Sequence, residues 1–136
     1  MKKSRSDYPL SSLAKDLQKE LLESGAYKEN ERNEFLLRSA VIGAEKYELF
    51  DLFYYRAYKE NYKKISLNVK DTYFNKLYRY IQNLDLSDKD SILITAESLD
   101  RSTVDASLNK LLLYFQNLEE YEKCAQIKKV LDIVNF

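Results

Sequence analysis

Apolar residues recur at three- and four-residue intervals along most of this chain, the spacing that aligns side chains on one face of an α-helix. Leu13, Leu17 and Leu21 mark a first helix, which Ser11 or Ser12 can cap and Gly25 stops. From Asn30 to about Tyr62 one stripe runs through Leu36, Ala40, Gly43, Ala44, Tyr47 and Phe50 and continues through Phe53, Tyr54, Ala57 and Tyr58. One long helix or two would produce this pattern. Gly43 costs about 1 kcal/mol inside a helix relative to alanine, so it permits a continuous rod or a kink, and close packing against another helix is the plainest reason for it.

Asn68, with Asp71 three residues on, predicts a cap for a further helix through Tyr73, Phe74, Leu77, Tyr78, Ile81 and Leu84, ending near Asp85. Ser87 with Asp90 repeats that capping logic ahead of Ile92, Leu93, Ile94 and Thr95. These four have strand propensity but no pairing partner nearby, which predicts a short helix. Ser102 with Asp105 opens the next helix, through Leu108, Leu111, Leu112 and Phe115. Asn117 and Leu118 allow a turn, and Glu119 and Glu120 suit the positive end of a last helix through Tyr121, Cys124, Ile127, Val130, Leu131 and Val134.

The expected fold class is therefore all-α, a compact bundle of five or six helices with residues 103–134 forming a C-terminal helical hairpin. Two glycines and one proline agree with this, because a multi-stranded β protein would lack residues for its hairpin turns. A length of 136 residues fits a single domain with a real core, and residues 1–7 read as a flexible basic tail. A domain boundary would have to fall near Ile65 to Asn68 or Asp85 to Asp88. One cysteine, no apolar run near 18 residues and no apolar signal core after MKKSRSDYP predict a cytoplasmic protein, with no membrane partner.

Histidine is absent, which removes the usual proton-transfer group near neutrality and the commonest nitrogen ligand for zinc. Serine and cysteine triads are thereby excluded, and neither glycine lies in a phosphate-binding loop pattern. Glu31, Glu34, Glu45 and Glu48 include neighbours that could share a magnesium ion, but acids interleaved with Lys and Arg are the usual surface of a solvated helix. Cys124 lies on the apolar stripe of the last helix, as a buried cysteine would. The chain reads as no enzyme, with no cofactor and no metal.

The 22 basic and 22 acidic residues cancel, so no global field draws the protein to nucleic acid or membrane. Locally the balance shifts: Arg56, Lys59, Lys63, Lys64, Lys70, Lys76 and Arg79 dominate Tyr54 to Gln82, and acids dominate Leu84 to Leu108. The basic stretch coincides with eight of the twelve tyrosines, between Tyr47 and Tyr80. Such rings can be core residues with hydroxyls at the surface, anchors of a protein interface, or platforms for stacked bases beside phosphate-binding cations. The expected function is a non-catalytic protein-binding module with Tyr54, Tyr55, Tyr58, Lys59, Tyr62, Tyr78 and Arg79 as contact residues. Tyr78 and Arg79 would lie beside the others if the two helices are antiparallel. The partner would be another protein, with homo-oligomerisation open, and the alternative is a nucleic-acid accessory factor using the same face. Small size, dense charge and the lack of catalytic groups also suit a phage or mobile-element accessory protein, a virion component or an inhibitor of a host enzyme.

Within residues 108–134, the stretch LEEYEKCAQIKKVL places an aromatic and a glutamate before two small residues, an aliphatic and a basic one. It resembles the UVR motif, the helical hairpin of the bacterial excision-repair subunits B and C. Tyr121, Glu122, Cys124, Ala125, Ile127 and Lys128 fall on the motif positions, while Lys129 replaces the usual acid and Cys124 stands for alanine. The resemblance implies protein docking through Tyr121, Glu122, Cys124, Ile127 and Lys128. Small residues between aliphatics also arise wherever two helices pack closely.

Overall fold

The computed structural model of the protein describes residues 31–135. The expected first helix, from Ser11 or Ser12 to Gly25, and the basic tail lie outside the described residues. The chain divides into two compact units, Met1–Arg32 and Asn33–Phe136. Only Glu31 and Arg32 of the first unit are described, and everything that follows concerns the second.

The described residues form helices joined by short turns, with no strand. Helix α1 (Arg32–Glu45) buries Leu36, Leu37, Ala40, Val41 and Ala44. Helix α2 (Tyr47–Tyr58) follows after Lys46 alone, and the hydrogen-bond ladder continues across that residue: Lys46 N–H to the Ile42 carbonyl and Phe50 N–H to the Lys46 carbonyl, both 3.0 Å. Residues 32–58 thus follow one helical path interrupted only at Lys46, not at Gly43. Gly43 is there for close packing, because a Cβ on it would lie 2.3 Å from Leu77 Cδ2.

At Lys59 the backbone enters the left-handed half of conformational space, with φ 44°, and one 3₁₀ turn (Lys59–Asn61) leads into α3 (Tyr62–Gln82). The expected cap at Asn68 is overturned, since α3 begins six residues earlier and Asn68 is an exposed mid-helix residue. Nothing between Tyr62 and Asp71 breaks a helix, and Ile65 and Val69 are partly buried. Ile65 to Asn68 therefore offers no linker.

The loop after α3 is held by one buried side chain, Asn33. Its amide nitrogen donates to the Asp85 carbonyl at 2.8 Å and to Ser91 Oγ at 2.9 Å, while its oxygen accepts from Asp85 N–H at 2.8 Å. A buried amide satisfied in this way fixes the loop conformation at little desolvation cost. Helix α4 (Lys89–Leu99) is capped by Asp88, whose carboxylate accepts from Ser91 N–H, rather than by Ser87, which donates to Asp85. The β-branched run is helical: Ile92, Thr95 and Ala96 are buried, and the Thr95 hydroxyl returns to the Ser91 carbonyl.

Asp100 alone joins α4 to α5 (Arg101–Asn117), at φ 80°. It occupies the cap position expected for Ser102, whose hydroxyl instead donates to the Asp100 carboxylate, as does that of Thr103. These two hydroxyls, Ser102 first, hold the Asp100 carboxyl below its ordinary pKa. Helix α6 (Tyr121–Val134) folds back on α5 to make the expected C-terminal hairpin. Val104, Leu108, Leu111 and Phe115 on one side and Cys124, Ile127, Val130 and Val134 on the other are buried within a single hydrophobic cluster. Between the helices, Glu119 N–H reaches the Gln116 carbonyl and Glu120 N–H the Phe115 carbonyl, both at 3.0 Å, with Glu119 left-handed at φ 60°. This is the Schellman arrangement. Among the described residues no helix is long and apolar enough to cross a membrane.

Candidate functional site

Helix α2 has the sequence YELFDLFYYRAY and no buried residue. It packs on α3 through a row of aromatic rings instead. Centroid separations are 5.5 Å for Tyr58 and Tyr54, 4.8 Å for Tyr54 and Phe50, and 4.4 Å for Phe50 and Tyr73. Tyr47 then lies 5.3 Å from Tyr73 and 4.9 Å from Phe74, and Phe74 stacks on Tyr114 of α5 at 4.4 Å. Offset and edge contacts of this kind contribute about 0.5 to 1.5 kcal/mol each beyond burial. Lys70 caps the row, its ammonium 5.8 Å from the Tyr47 ring and 5.7 Å from that of Tyr114.

Burial, followed by the Asp51 charge, pushes the Tyr47 phenol up to about 12, and burial followed by the Glu48 charge does the same for Tyr73. Tyr73 donates to the Gly43 carbonyl at 2.7 Å. Tyr47, Tyr73 and Tyr114 are thus packing residues, with the Tyr73 and Tyr114 hydroxyls bonded to the Gly43 carbonyl and the Asp71 carboxylate.

Another group of rings gathers where α2 meets α3. Tyr55 and Tyr58 are 56% and 48% exposed. Tyr62 contacts Tyr55 edge-on at 5.4 Å and donates to Asp51, a bond that raises its own pKa. Around this tip Arg56, Lys59, Lys63 and Lys64 are exposed and make no ion pair among the described residues. Five of the expected contact residues, Tyr54, Tyr55, Tyr58, Lys59 and Tyr62, therefore belong to one patch, Tyr54 as its half-buried floor.

Tyr78 and Arg79 do not join them. Pairing of Tyr62 with Tyr55 and of Leu77 with Gly43 makes α2 and α3 antiparallel, so Tyr78 sits about 24 Å along α3 from Tyr62. There it packs edge-on against Phe115, beneath the Lys123 ammonium. Of the hairpin residues, Tyr121, Glu122 and Lys128 are exposed, whereas Cys124 and Ile127 are buried and cannot touch a partner. They are core residues because the small side chain at Cys124 lets α5 approach, with Sγ 3.9 Å from the Leu112 carbonyl.

Of the four acids, Glu34 pairs with Arg38 at 3.3 Å and Glu48 with Lys110 at 2.8 Å, both at the surface. No group of three or more His, Cys, Asp or Glu side chains among the described residues could hold a metal ion. Leu49, Leu52 and Phe53 are exposed residues that pattern reading missed, with Phe53 assigned to the inner stripe. Apolar residues occur at almost every angle of α2, so periodicity alone could not orient it, although the spacing 49, 52, 53 marks a second face. Compared with protein-family models, curated proteins and solved structures, the chain matches none.

Proposed function

We propose that the chain is a non-catalytic docking module that binds another protein through the tip of the α2 and α3 pair. The observation that carries this reading is an aromatic helix with no buried residue, ending in two exposed tyrosines. Large rigid rings give contact area at small entropic cost, which is why tyrosines anchor interfaces. Tyr55, Tyr58 and Tyr62 supply that area, and Lys59, Lys63 and Lys64 favour a partner surface that is acidic around its apolar centre.

The rival reading, a single-stranded nucleic acid on the same rings and cations, differs in its salt dependence. The test compares wild-type protein with the Tyr55→Ala, Tyr58→Ala double variant as bait in a native lysate, at low and high salt and with nuclease. Docking predicts a discrete protein that survives salt and nuclease on wild type and is absent from the variant. Loss of the captured material on nuclease treatment would give the site to nucleic acid.

A further inference from the structure

The outward face of α2 carries a different pattern from its tip. Ile42, Glu45, Leu49, Leu52, Arg56 and Lys59 alternate at three- and four-residue spacing, the a and d positions of a heptad, along the helical path that is interrupted at Lys46 and ends at Tyr58, with Lys59 as its C-cap. All six are exposed, and Phe53 lies beside them. Leu49 is 52%, Leu52 42% and Phe53 59% accessible, and at about 100° per residue these three and Arg56 fall within an arc of about 100°. Glu45 and Arg56 make no ion pair among the described residues.

The spacing of this seam is the same in both directions, while its charge inverts about the centre. Pairing it inward from its ends sets Ile42 against Lys59, Glu45 against Arg56 and Leu49 against Leu52. A two-fold axis crossing the helix between Phe50 and Asp51 generates these pairs, because an isologous contact brings each residue to its mirror position on the other copy. The centre would be leucine on leucine, both flanks a glutamate on an arginine, and both ends an isoleucine under a lysine stem. We infer that the outward face of α2 is a self-association surface, on which a second copy of this chain packs its own α2 antiparallel. A partner of unrelated sequence explains the apolar centre equally well. It does not explain why the acid and the base lie equidistant from that centre with opposite sign.

The seam shares Arg56 and Lys59 with the docking tip but not Tyr55, Tyr58 or Tyr62, so Leu52→Asp probes self-association alone and the double tyrosine variant probes docking alone. A helix pair of about five turns buries less than the roughly 800 Å² per partner of a standard interface, so the association is weak and is sought at protein concentrations of roughly tens to hundreds of micromolar. The experiment is sedimentation equilibrium on the full chain across that range. Wild type should rise from 16.1 kDa toward twice that mass, and Leu52→Asp should stay at 16.1 kDa with its circular dichroism and melting temperature unchanged. Glu45→Arg and Arg56→Glu each create like-charge contacts at both flanks and should weaken the dimer by about tenfold. Mixing these two variants in equal amounts restores both flanks and should restore association. A mass of 16.1 kDa throughout, or a dimer indifferent to the charge swaps, overturns the inference.

Discussion

Gly43 and Leu77 lock α1 to α3: the glycine leaves the space that a Leu77 methyl fills, and a Cβ there would approach Cδ2 to 2.3 Å. The same glycine's carbonyl accepts the Tyr73 hydroxyl one turn earlier on α3. Two contacts at one residue thus set the register in which α2 and α3 run side by side, and with it the positions of Tyr55, Tyr58 and Tyr62.

Gly43→Ala should therefore destabilise the fold although alanine is the better helix former. Overpacking costs about 1 to 3 kcal/mol and the propensity gain returns about 1 kcal/mol, for a net loss on the order of 1 kcal/mol. In a Leu77→Ala background the methyl has room, and the same substitution should become stabilising. Urea denaturation of the four proteins of this cycle measures the coupling. Equal effects of Gly43→Ala in both backgrounds would show that Leu77 does not dictate the glycine.

The hairpin turn offers the opposite case. Glu119 holds a left-handed conformation that favours glycine, with both Schellman hydrogen bonds already formed. Glu119→Gly should raise stability by about 1 kcal/mol without altering the core beneath it. A thermal shift to lower temperature would mean that the Glu119 side chain contributes more than its backbone strain costs.

Helix identity could be read from apolar spacing because that signal is summed over many residues. This covers the α5 and α6 hairpin, whereas the helix at Ile92 to Thr95 followed from the lack of a strand-pairing partner and the packing role of Gly43 from the cost of a glycine inside a helix. Helix ends were less readable. Asp100, Ser102 and Thr103 are all competent caps, and the backbone angle at Asp100 decides which of them occupies the position. Nothing in Lys59, Glu60 and Asn61 announces a left-handed residue, so the joint between α2 and α3 was placed too late. The tyrosines divided for a related reason. Whether a ring lies in the aromatic row or at the tip depends on where α3 begins to run alongside α2, a tertiary fact that moved Tyr62 beside Tyr55 and Tyr78 away from both.

The aromatic row should make the fold sensitive to alkali. Tyr47 and Tyr73 have folded pKa values of about 12, against about 10 in an unfolded chain. Between those values the folded state binds more protons than the unfolded one, so stability falls as pH rises. The contribution is complete below about pH 10 and is lost as pH passes through about 12. Tyr114 adds to the trend, its pKa raised first by burial and then by its hydrogen bond to Asp71. Tyr47→Phe isolates the effect by removing one such phenol while keeping its ring contacts with Tyr73 and Phe74. At about pH 8 the variant should match wild type within about 0.5 kcal/mol. At about pH 11 it should melt at the higher temperature, because its unfolded state no longer gains from ionising that residue. A melting-temperature difference that stays constant across this interval would show that Tyr47 titrates alike in the folded and unfolded chain, and that the row leaves its phenol in contact with water.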